Sequence, residues 1–245
     1  MMKRLITAIP VVMAFAGATA YAAVTPIPPD QYPQGCHPDG EALQGNNAAD
    51  LMEGTSRRDL LRGGNGIDSI FGSIDADCLF GETGAFDYID GGPGADTISG
   101  GPGVDRINGQ KGDDAISGDS DEDEIFAEGG QDLVDGGRAG DEIKGDTGRD
   151  RIYGDRGKDA INGEDERDLI FGQRGADQLK GGPGEDRIQG GDGKDTISGG
   201  KGNDRIIDTA DRNRISCGKG VDRVKTTAKS EVAANCEHVH LRREF

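Results

Sequence analysis

The sequence predicts an all-β fold, a β-solenoid built from stacked nine-residue units. Three observations lead to this prediction: a repeat of nine residues across 45–225, an aspartate at the sixth position of the repeat, and an aliphatic residue at the eighth. The repeat is clearest in GGPGADTIS from Gly91 and GGKGNDRII from Gly199. The chain contains about twenty units, and the unit at residues 81–90 has a single inserted residue.

The eighth position of the repeat predicts the core. Positions seven to nine can form a three-residue strand, in which successive side chains face opposite sides, so only position eight points inward. One inward aliphatic side chain per unit gives a thin, stacked core. The residues at this position are Met52, Leu61, Ile70, Leu79, Ile89, Ile98, Ile107, Ile116, Ile125, Val134, Ile143, Ile152, Ile161, Ile170, Leu179, Ile188, Ile197, Ile206, Ile215 and Val224.

The glycines at positions one, two and four explain how so short a strand is followed by a tight turn. Glycine adopts positive φ without a steric penalty. Where Asp75, Asp121 and Asp211 replace glycine at position four, aspartate tolerates that region better than most residues. A glycine-rich, acidic chain with 4% aromatic residues is also typical of a disordered linker. The unbroken aliphatic column favours the solenoid.

The pattern G-G-x-G-x-D-x-U-x, where U is a large aliphatic residue, resembles the RTX, or haemolysin-type, calcium-binding nonapeptide repeat. The resemblance covers about three quarters of the chain and depends on copies that stay in register. It implies a parallel β-roll with two units per turn, two facing sheets, and several Ca²⁺ ions in the turns between units i and i+2. In such a roll the position-six aspartate supplies carboxylate oxygens and the turn backbone supplies carbonyls, a set that suits Ca²⁺.

The same resemblance grades the individual turns. The turns before Asp50, Asp59, Asp77, Asp123, Asp141 and Asp168 lack glycine at position four. The turn before Asn213 also lacks glycine at position one. We expect some of these turns to bind calcium loosely or not at all. The predicted calcium ligands are Asp68, Asp87, Asp96, Asp105, Asp114, Asp150, Asp159, Asp177, Asp186, Asp195, Asp204 and Asp222.

The charge of the chain favours folding coupled to calcium. There are 46 acidic and 28 basic residues, a net charge of −18, and the roll would bring its aspartates close together. Like charges at short distance repel and destabilise the compact state unless counter-ions neutralise them. The alternative is that the acidic residues only keep a metal-independent solenoid soluble.

The N-terminus predicts export. Residues 1–22 contain Lys3 and Arg4, an apolar stretch and the small-residue site Ala20-Tyr21-Ala22, which is typical of a secretory signal peptide. We therefore expect a secreted, extracellular protein, with the periplasm as the other destination. RTX proteins usually leave the cell through a C-terminal signal, so this segment favours the general export route. A Pro-rich lead-in at 23–44 and a C-terminal cap at 226–245 would flank the repeats of 45–225.

Four cysteines fit an oxidising compartment. Cys217 opens the last clear unit and Cys236 lies in the tail, so a disulfide between them would tie the tail over the end of the roll. Cys36 and Cys78 would then pair by elimination, although Cys36 could also sit two turns away from Cys78. The C-terminal cysteine spacing also resembles the closing segment of small secreted bacterial calcium-binding repeat proteins. A solenoid needs such caps to cover its exposed edges.

The sequence outside the repeats predicts no catalytic function. Without the predicted signal peptide, about 22 residues precede the repeats and about 20 follow them, too few for a catalytic domain. The histidines His37, His238 and His240 lie at the two ends, outside any metalloprotease or hydrolase motif. We therefore expect a calcium-binding protein that is not an enzyme.

A binding module is the alternative function. Arg187, Arg205 and Arg223 occupy position seven in consecutive turns and would stack about 4.8 Å apart. This row could hold an acidic polysaccharide or a cell surface, as in an adhesin-like or enzyme-accessory module. The other interpretation is that each arginine neutralises neighbouring acidic residues. Nucleic-acid binding is not expected of so acidic a chain.

Overall fold

The computed structural model describes residues 25–208, 213–227 and 230–242. These residues form two β-sheets, and successive repeat units enter the two sheets alternately. Strand partners within a sheet are one turn apart, as Ile98 is from Ile116, so two nine-residue units make one turn of a parallel solenoid. The predicted all-β, parallel β-roll is therefore confirmed. The predicted signal peptide lies outside the described residues.

Within the described residues, the first sheet has 13 strands and the second has 12. The first sheet runs in the order β1 (Thr25–Pro26), β2 (Ala42–Gln44), β4 (Leu60–Gly66), β6 (Cys78–Gly84), β8 (Thr97–Pro102), β10 (Ala115–Ser120), β13 (Leu133–Arg138), β15 (Arg151–Gly157), β17 (Leu169–Gly175), β19 (Arg187–Asp192), β21 (Arg205–Asp208), β23 (Arg223–Thr227) and β25 (His238–Arg242).

The second sheet runs in the order β24 (Glu231–Val232), β22 (Arg214–Lys219), β20 (Thr196–Lys201), β18 (Gln178–Pro183), β16 (Ala160–Asp165), β14 (Glu142–Gly148), β11 (Glu124–Phe126), β9 (Arg106–Lys111), β7 (Tyr88–Pro93), β5 (Ser69–Phe71) and β3 (Leu51–Glu53). The short strand β12 (Gly129–Gly130) pairs with β9 and β14. A 3₁₀ turn spans Pro29–Gln31. No helix in the described part of the chain is long and apolar enough to cross a membrane.

The core between the sheets is the aliphatic column predicted from position eight. Every member of that column is buried, and the least buried, Ile116, is only 3% exposed. Identical positions stack directly, as in Ile188 on Ile206. The core is therefore a double row of single side chains, as the repeat predicted.

Most strands are longer than the three residues predicted. Strand β8 begins at position seven and continues through position three of the next unit, ending at Pro102. The prediction was wrong because the segment after position nine goes on pairing with the neighbouring turn, as Gly101 does with Asp119. Three-residue strands remain at β2, β3, β5 and β11.

Both ends of the roll are covered, and both predicted disulfides are confirmed. At the N-terminus, β1 pairs antiparallel with β2, and Ile27 packs with Leu60 beside the Cys36–Cys78 disulfide. At the C-terminus, β24 and β25 continue the second and the first sheet, and the Cys217–Cys236 disulfide holds the segment between them.

Candidate metal-binding turns

The position-six aspartates form two buried columns, one along each edge of the roll, where the chain enters the strands. In each column the backbone N–H of one aspartate donates a hydrogen bond to Oδ1 of the aspartate one turn further along the chain. These bonds are 2.7 to 3.0 Å long from Asp50 to Asp222. One carboxylate oxygen of each aspartate therefore links two turns.

The second oxygen, Oδ2, points into the turn of its own unit. It is buried and has no hydrogen-bond partner at Asp68, Asp77, Asp87, Asp96, Asp105, Asp114, Asp123, Asp132, Asp141, Asp150, Asp159, Asp168, Asp177, Asp186, Asp204 and Asp222. A buried carboxylate oxygen without a partner is costly. The array therefore calls for a cation or a proton in each of these turns.

The glycine at position one leaves room beside this oxygen. A Cβ on Gly172 would lie 2.5 Å from Oδ2 of Asp177 and 2.6 Å from the carbonyl oxygen of Gly190. At Gly109 the corresponding distances are 2.6 Å to Oδ2 of Asp114 and 2.7 Å to the carbonyl oxygen of Ala127. A carboxylate and a carbonyl oxygen thus face the same small space, and oxygen donors of these two kinds suit a hard cation such as Ca²⁺.

The electrostatics of the columns disfavour bare negative charge. Burial raises the pKa of Asp168 to about 8, a rise that a backbone hydrogen bond opposes and the negative charges of Asp150 and Asp186 increase. Burial likewise raises the pKa of Asp77 and Asp123 to about 8, and that of Asp186 to about 7. At neutral pH these carboxyl groups are therefore more stable with a bound proton or a nearby cation than as bare negative charges.

In the first turns, a backbone N–H group donates a hydrogen bond to the Oδ2 atom of the aspartate instead. The N–H of Asn46 donates to Oδ2 of Asp50 at 2.8 Å, and the N–H of Thr55 donates to Oδ2 of Asp59 at 2.6 Å. Both turns belong to those predicted to bind calcium weakly. In these two turns the oxygen that lacks a partner in the later turns is already hydrogen-bonded to the protein.

Position four separates the remaining turns by backbone conformation. Glycines there, such as Gly157 and Gly193, have φ of 152° and 128°, a region that side chains avoid. Asp75, Asp121 and Glu166 instead have φ of 82°, 77° and 81°. The turns of Asp75, Asp121 and Glu166 therefore hold a different backbone conformation at position four.

The structure places every predicted ligand at the same type of position. Asp68, Asp87, Asp96, Asp105, Asp114 and their counterparts share the Oδ1 hydrogen bond, and the arrangement extends to residues outside the predicted set. Those additional residues are Asp77, Asp123, Asp132, Asp141 and Asp168. Position six alone would have found them. Among the described residues, no three histidine, cysteine, aspartate or glutamate side chains converge on a metal-sized site.

The sequence analysis missed three residues that contribute side chains to the aspartate columns or to their turns. Ser230 and Glu237 accept the last two hydrogen bonds of the columns, from the N–H groups of Asn213 and Asp222. Asp208 stands at position one of the unit whose sixth residue is Asn213, and it is buried beside Oδ2 of Asp195. In this unit position six is an asparagine and position one, usually glycine, is an aspartate. The exchange is visible when the repeat units are compared with one another.

Comparison with known families identifies the repeat. The family described as RTX calcium-binding nonapeptide repeat (4 copies) matches residues 53–85, 83–116, 99–134, 108–143, 135–170 and 171–206. The chain belongs to the RTX calcium-binding repeat family. RTX repeats bind Ca²⁺, so the oxygen-lined turns of this roll are of the calcium-binding type. No curated protein matches the chain.

Proposed function

We propose that this RTX protein is an exported, non-enzymatic calcium-binding protein whose roll folds as its turns take up several Ca²⁺ ions. The observation that carries the proposal is the repeated, buried Oδ2 atom without a partner, which faces a main-chain carbonyl in consecutive turns. Asp96, Asp114, Asp177, Asp186 and Asp204 are examples in which position one is glycine. Calcium would supply the positive charge that these oxygens lack.

Coupling to folding follows from where the ligands come from. Each space is lined by an aspartate of one unit and by the carbonyl of the unit one turn away, as with Asp177 and Gly190. These oxygens are brought together only when the turns stack. An ion that binds the folded form and not the unfolded chain stabilises the fold by mass action.

Export is the second part of the proposal. Two disulfides are typical of proteins that mature in an oxidising compartment. Together with the signal-like residues 1–22, they support a secreted protein, with the periplasm as the other destination. Cell fractionation and N-terminal sequencing of the exported protein test this, and an uncleaved cytoplasmic product would contradict it.

A calcium titration tests the main proposal. Far-ultraviolet circular dichroism of the chelated protein should show little β structure and gain it at about 0.1 to 1 mM calcium, the range of extracellular modules. Magnesium should be a poor substitute, because it demands a stricter octahedral geometry. A β-rich spectrum that chelation leaves unchanged would contradict the proposal and favour a metal-independent solenoid.

A second candidate is a calcium-dependent module that binds a polysaccharide or a cell surface. The observation that favours it concerns Arg187, Arg205 and Arg223. They stack in register on the first sheet, and none forms an ion pair in the described part of the chain. Direct pairing with neighbouring acidic residues, the alternative raised by the sequence, is not seen.

A further inference from the structure

The outward side of the first sheet changes character over its last six strands, β15, β17, β19, β21, β23 and β25. Two columns of side chains point outward here, from positions seven and nine. The position-seven column is Arg151, Leu169, Arg187, Arg205, Arg223 and His238, and the position-nine column is Tyr153, Phe171, Gln189, Ile207, Lys225 and His240. Neither column contains a carboxylate. We call these twelve residues the basic face.

The absence of acids from the basic face contrasts with the rest of the molecule. The chain has a net charge of −18. In the position-seven column of the second sheet, arginines are paired one turn away: Arg106 lies 2.8 Å from Glu124, and Arg214 lies 3.4 Å from Glu231. The arginines of the basic face are exposed and have no such partner among the described residues.

Stacking unpaired arginines has an electrostatic cost. Arg187, Arg205 and Arg223 are direct strand neighbours, so their side chains start about 4.8 Å apart. Like charges directly opposite each other on a sheet are destabilising. Acidic residues occupy many other outward positions of the chain, but none in its described part is paired with these arginines. Unfavourable local arrangements of this kind, without a compensating contact inside the protein, occur at functional sites.

We propose that the basic face binds a linear acidic polysaccharide laid along the axis of the roll. The proposal rests on the proposed function, because the stacked strands that align the arginines form with the roll. Six strands span about 24 Å, five spacings of about 4.8 Å. The cations repeat at this spacing over three consecutive strands, so a polymer with a carboxylate or sulfate on successive sugars meets one cation after another.

The surroundings of the basic face select a thin, single-chain polymer. Acidic residues flank it at the turn edge, where β15 carries Asp155 and β19 carries Asp192, and at its N-terminal side, where β13 carries Asp135. A membrane surface or a DNA duplex is wide enough to be pressed against these acids. A single polysaccharide chain that follows the arginine row avoids them.

The aromatic residues argue against single-stranded nucleic acid. Tyr153 and Phe171 stack on each other, with ring centroids 4.9 Å apart and planes 9° from parallel. Their facing surfaces are thus occupied, whereas single-strand binders present free aromatic faces on which bases stack. The pair instead provides an apolar border beside the cation row, against which the carbon-bound hydrogens of a sugar ring can pack.

Affinity chromatography of the full-length exported protein tests the proposal. The probes are immobilised carboxymethyl-dextran, with carboxylates on most of its sugars, dextran sulfate as a sulfated polymer, and uncharged dextran. In 1 mM calcium and low salt we expect retention on one or both acidic polymers and none on dextran. Raising the salt should elute the protein, because screening weakens contacts between exposed charges. Which acidic polymer binds distinguishes carboxylate from sulfate recognition.

The decisive variant changes Arg187→Gln, Arg205→Gln and Arg223→Gln together. We expect its affinity for the retaining polymer to fall at least about tenfold, from the loss of three charge contacts. The matched control changes Arg57→Gln, Arg138→Gln and Arg149→Gln, which are exposed, unpaired and outside the basic face. The control loses the same charge and should bind like the unchanged protein.

Circular dichroism of the same samples separates the two proposals. A calcium-folded protein retained by neither acidic polymer would overturn the basic-face proposal and leave calcium-coupled folding intact. Equal retention of both triple variants, or preferential binding of oligothymidylate or anionic lipid vesicles, would also overturn it. Retention that depends on the three arginines without any effect of calcium on folding would support the basic face and contradict calcium-coupled folding.

Discussion

The backbone N–H of Asp186 donates a 3.0 Å hydrogen bond to Oδ1 of Asp204, a residue one full turn further along the chain. The other oxygen of Asp204 is buried and has no hydrogen-bond partner. The two oxygens of one side chain thus have separate tasks, since Oδ1 joins turns and Oδ2 faces the space for a cation. A substitution can therefore remove the negative charge of the side chain and keep the hydrogen bond between turns.

Asp204→Asn should lower the calcium stoichiometry while the roll still folds in excess calcium. The amide oxygen of asparagine can accept the hydrogen bond from Asp186, as Asn213 does from Asp195 at 2.8 Å, but the negative charge is lost. Isothermal titration calorimetry with calcium measures the change. Asp59→Asn is the matched control, because Oδ2 of Asp59 is already bonded to the N–H of Thr55. Identical calcium binding in Asp204→Asn and the unchanged protein would disprove the role of position six.

Gly172→Ala should remove calcium from one turn by filling its space. The new methyl group would lie 2.5 Å from Oδ2 of Asp177, closer than the two atoms can approach. Ala127 holds the same position in another unit, so the roll accommodates the residue. Gly129→Ala is the control, since its nearest contact would be Oγ1 of Thr147 at 3.2 Å. Calorimetry should show fewer ions bound only in Gly172→Ala, and equal loss in both variants would contradict the assignment of the space.

Acid should partly replace calcium. Burial raises the pKa of Asp123 and Asp168 to about 8 and that of Asp186 to about 7, above the ordinary value of 3.8. A raised folded-state pKa means that the stability these groups provide in protonated form is fully present below the unfolded pKa. It is lost as the pH rises through the folded pKa values of about 7 and 8.

Circular dichroism of calcium-free protein should therefore show more β structure at pH 5 than at pH 8. In saturating calcium the trend should vanish or reverse, because protons and calcium compete for the same oxygens. Loss of β structure on acidification of the calcium-free protein from pH 8 to pH 5 would contradict this prediction.

Removing the C-terminal disulfide with Cys217→Ser and Cys236→Ser should lower the free energy of unfolding by about 3 kcal/mol, the entropy of closing a loop of this length. The two cysteines are 19 residues apart. Denaturant unfolding in saturating calcium measures the loss. The matched variant, Cys36→Ser with Cys78→Ser, opens a longer loop and should cost about 4 kcal/mol. An unchanged unfolding midpoint in the first variant would show that the cap holds without its disulfide.

The repeat alone predicts the roll, the aliphatic core and the position-six columns, because each depends on a residue type that recurs at a fixed spacing. Strand lengths could not be predicted from one unit, since the pairing of Gly101 with Asp119 depends on the neighbouring turn. Ser230 and Glu237 were missed because they follow Asn213 and Asp222 by 17 and 15 residues, which breaks the spacing. Asp208 was missed because its carboxylate lies in a column otherwise dominated by glycine.

The hydrogen bond from each aspartate N–H to the carboxylate of the following turn gives the molecule a direction. The side chain that accepts this bond is always synthesised after the turn that donates it, and the last two acceptors are Ser230 and Glu237 of the cap. If such a chain crosses a membrane with its N-terminus first, the turn that has just emerged still lacks the side chain that accepts its hydrogen bond. Only the arrival of the C-terminal segment closes the assembly, so truncation there should leave a roll with a permanently open end.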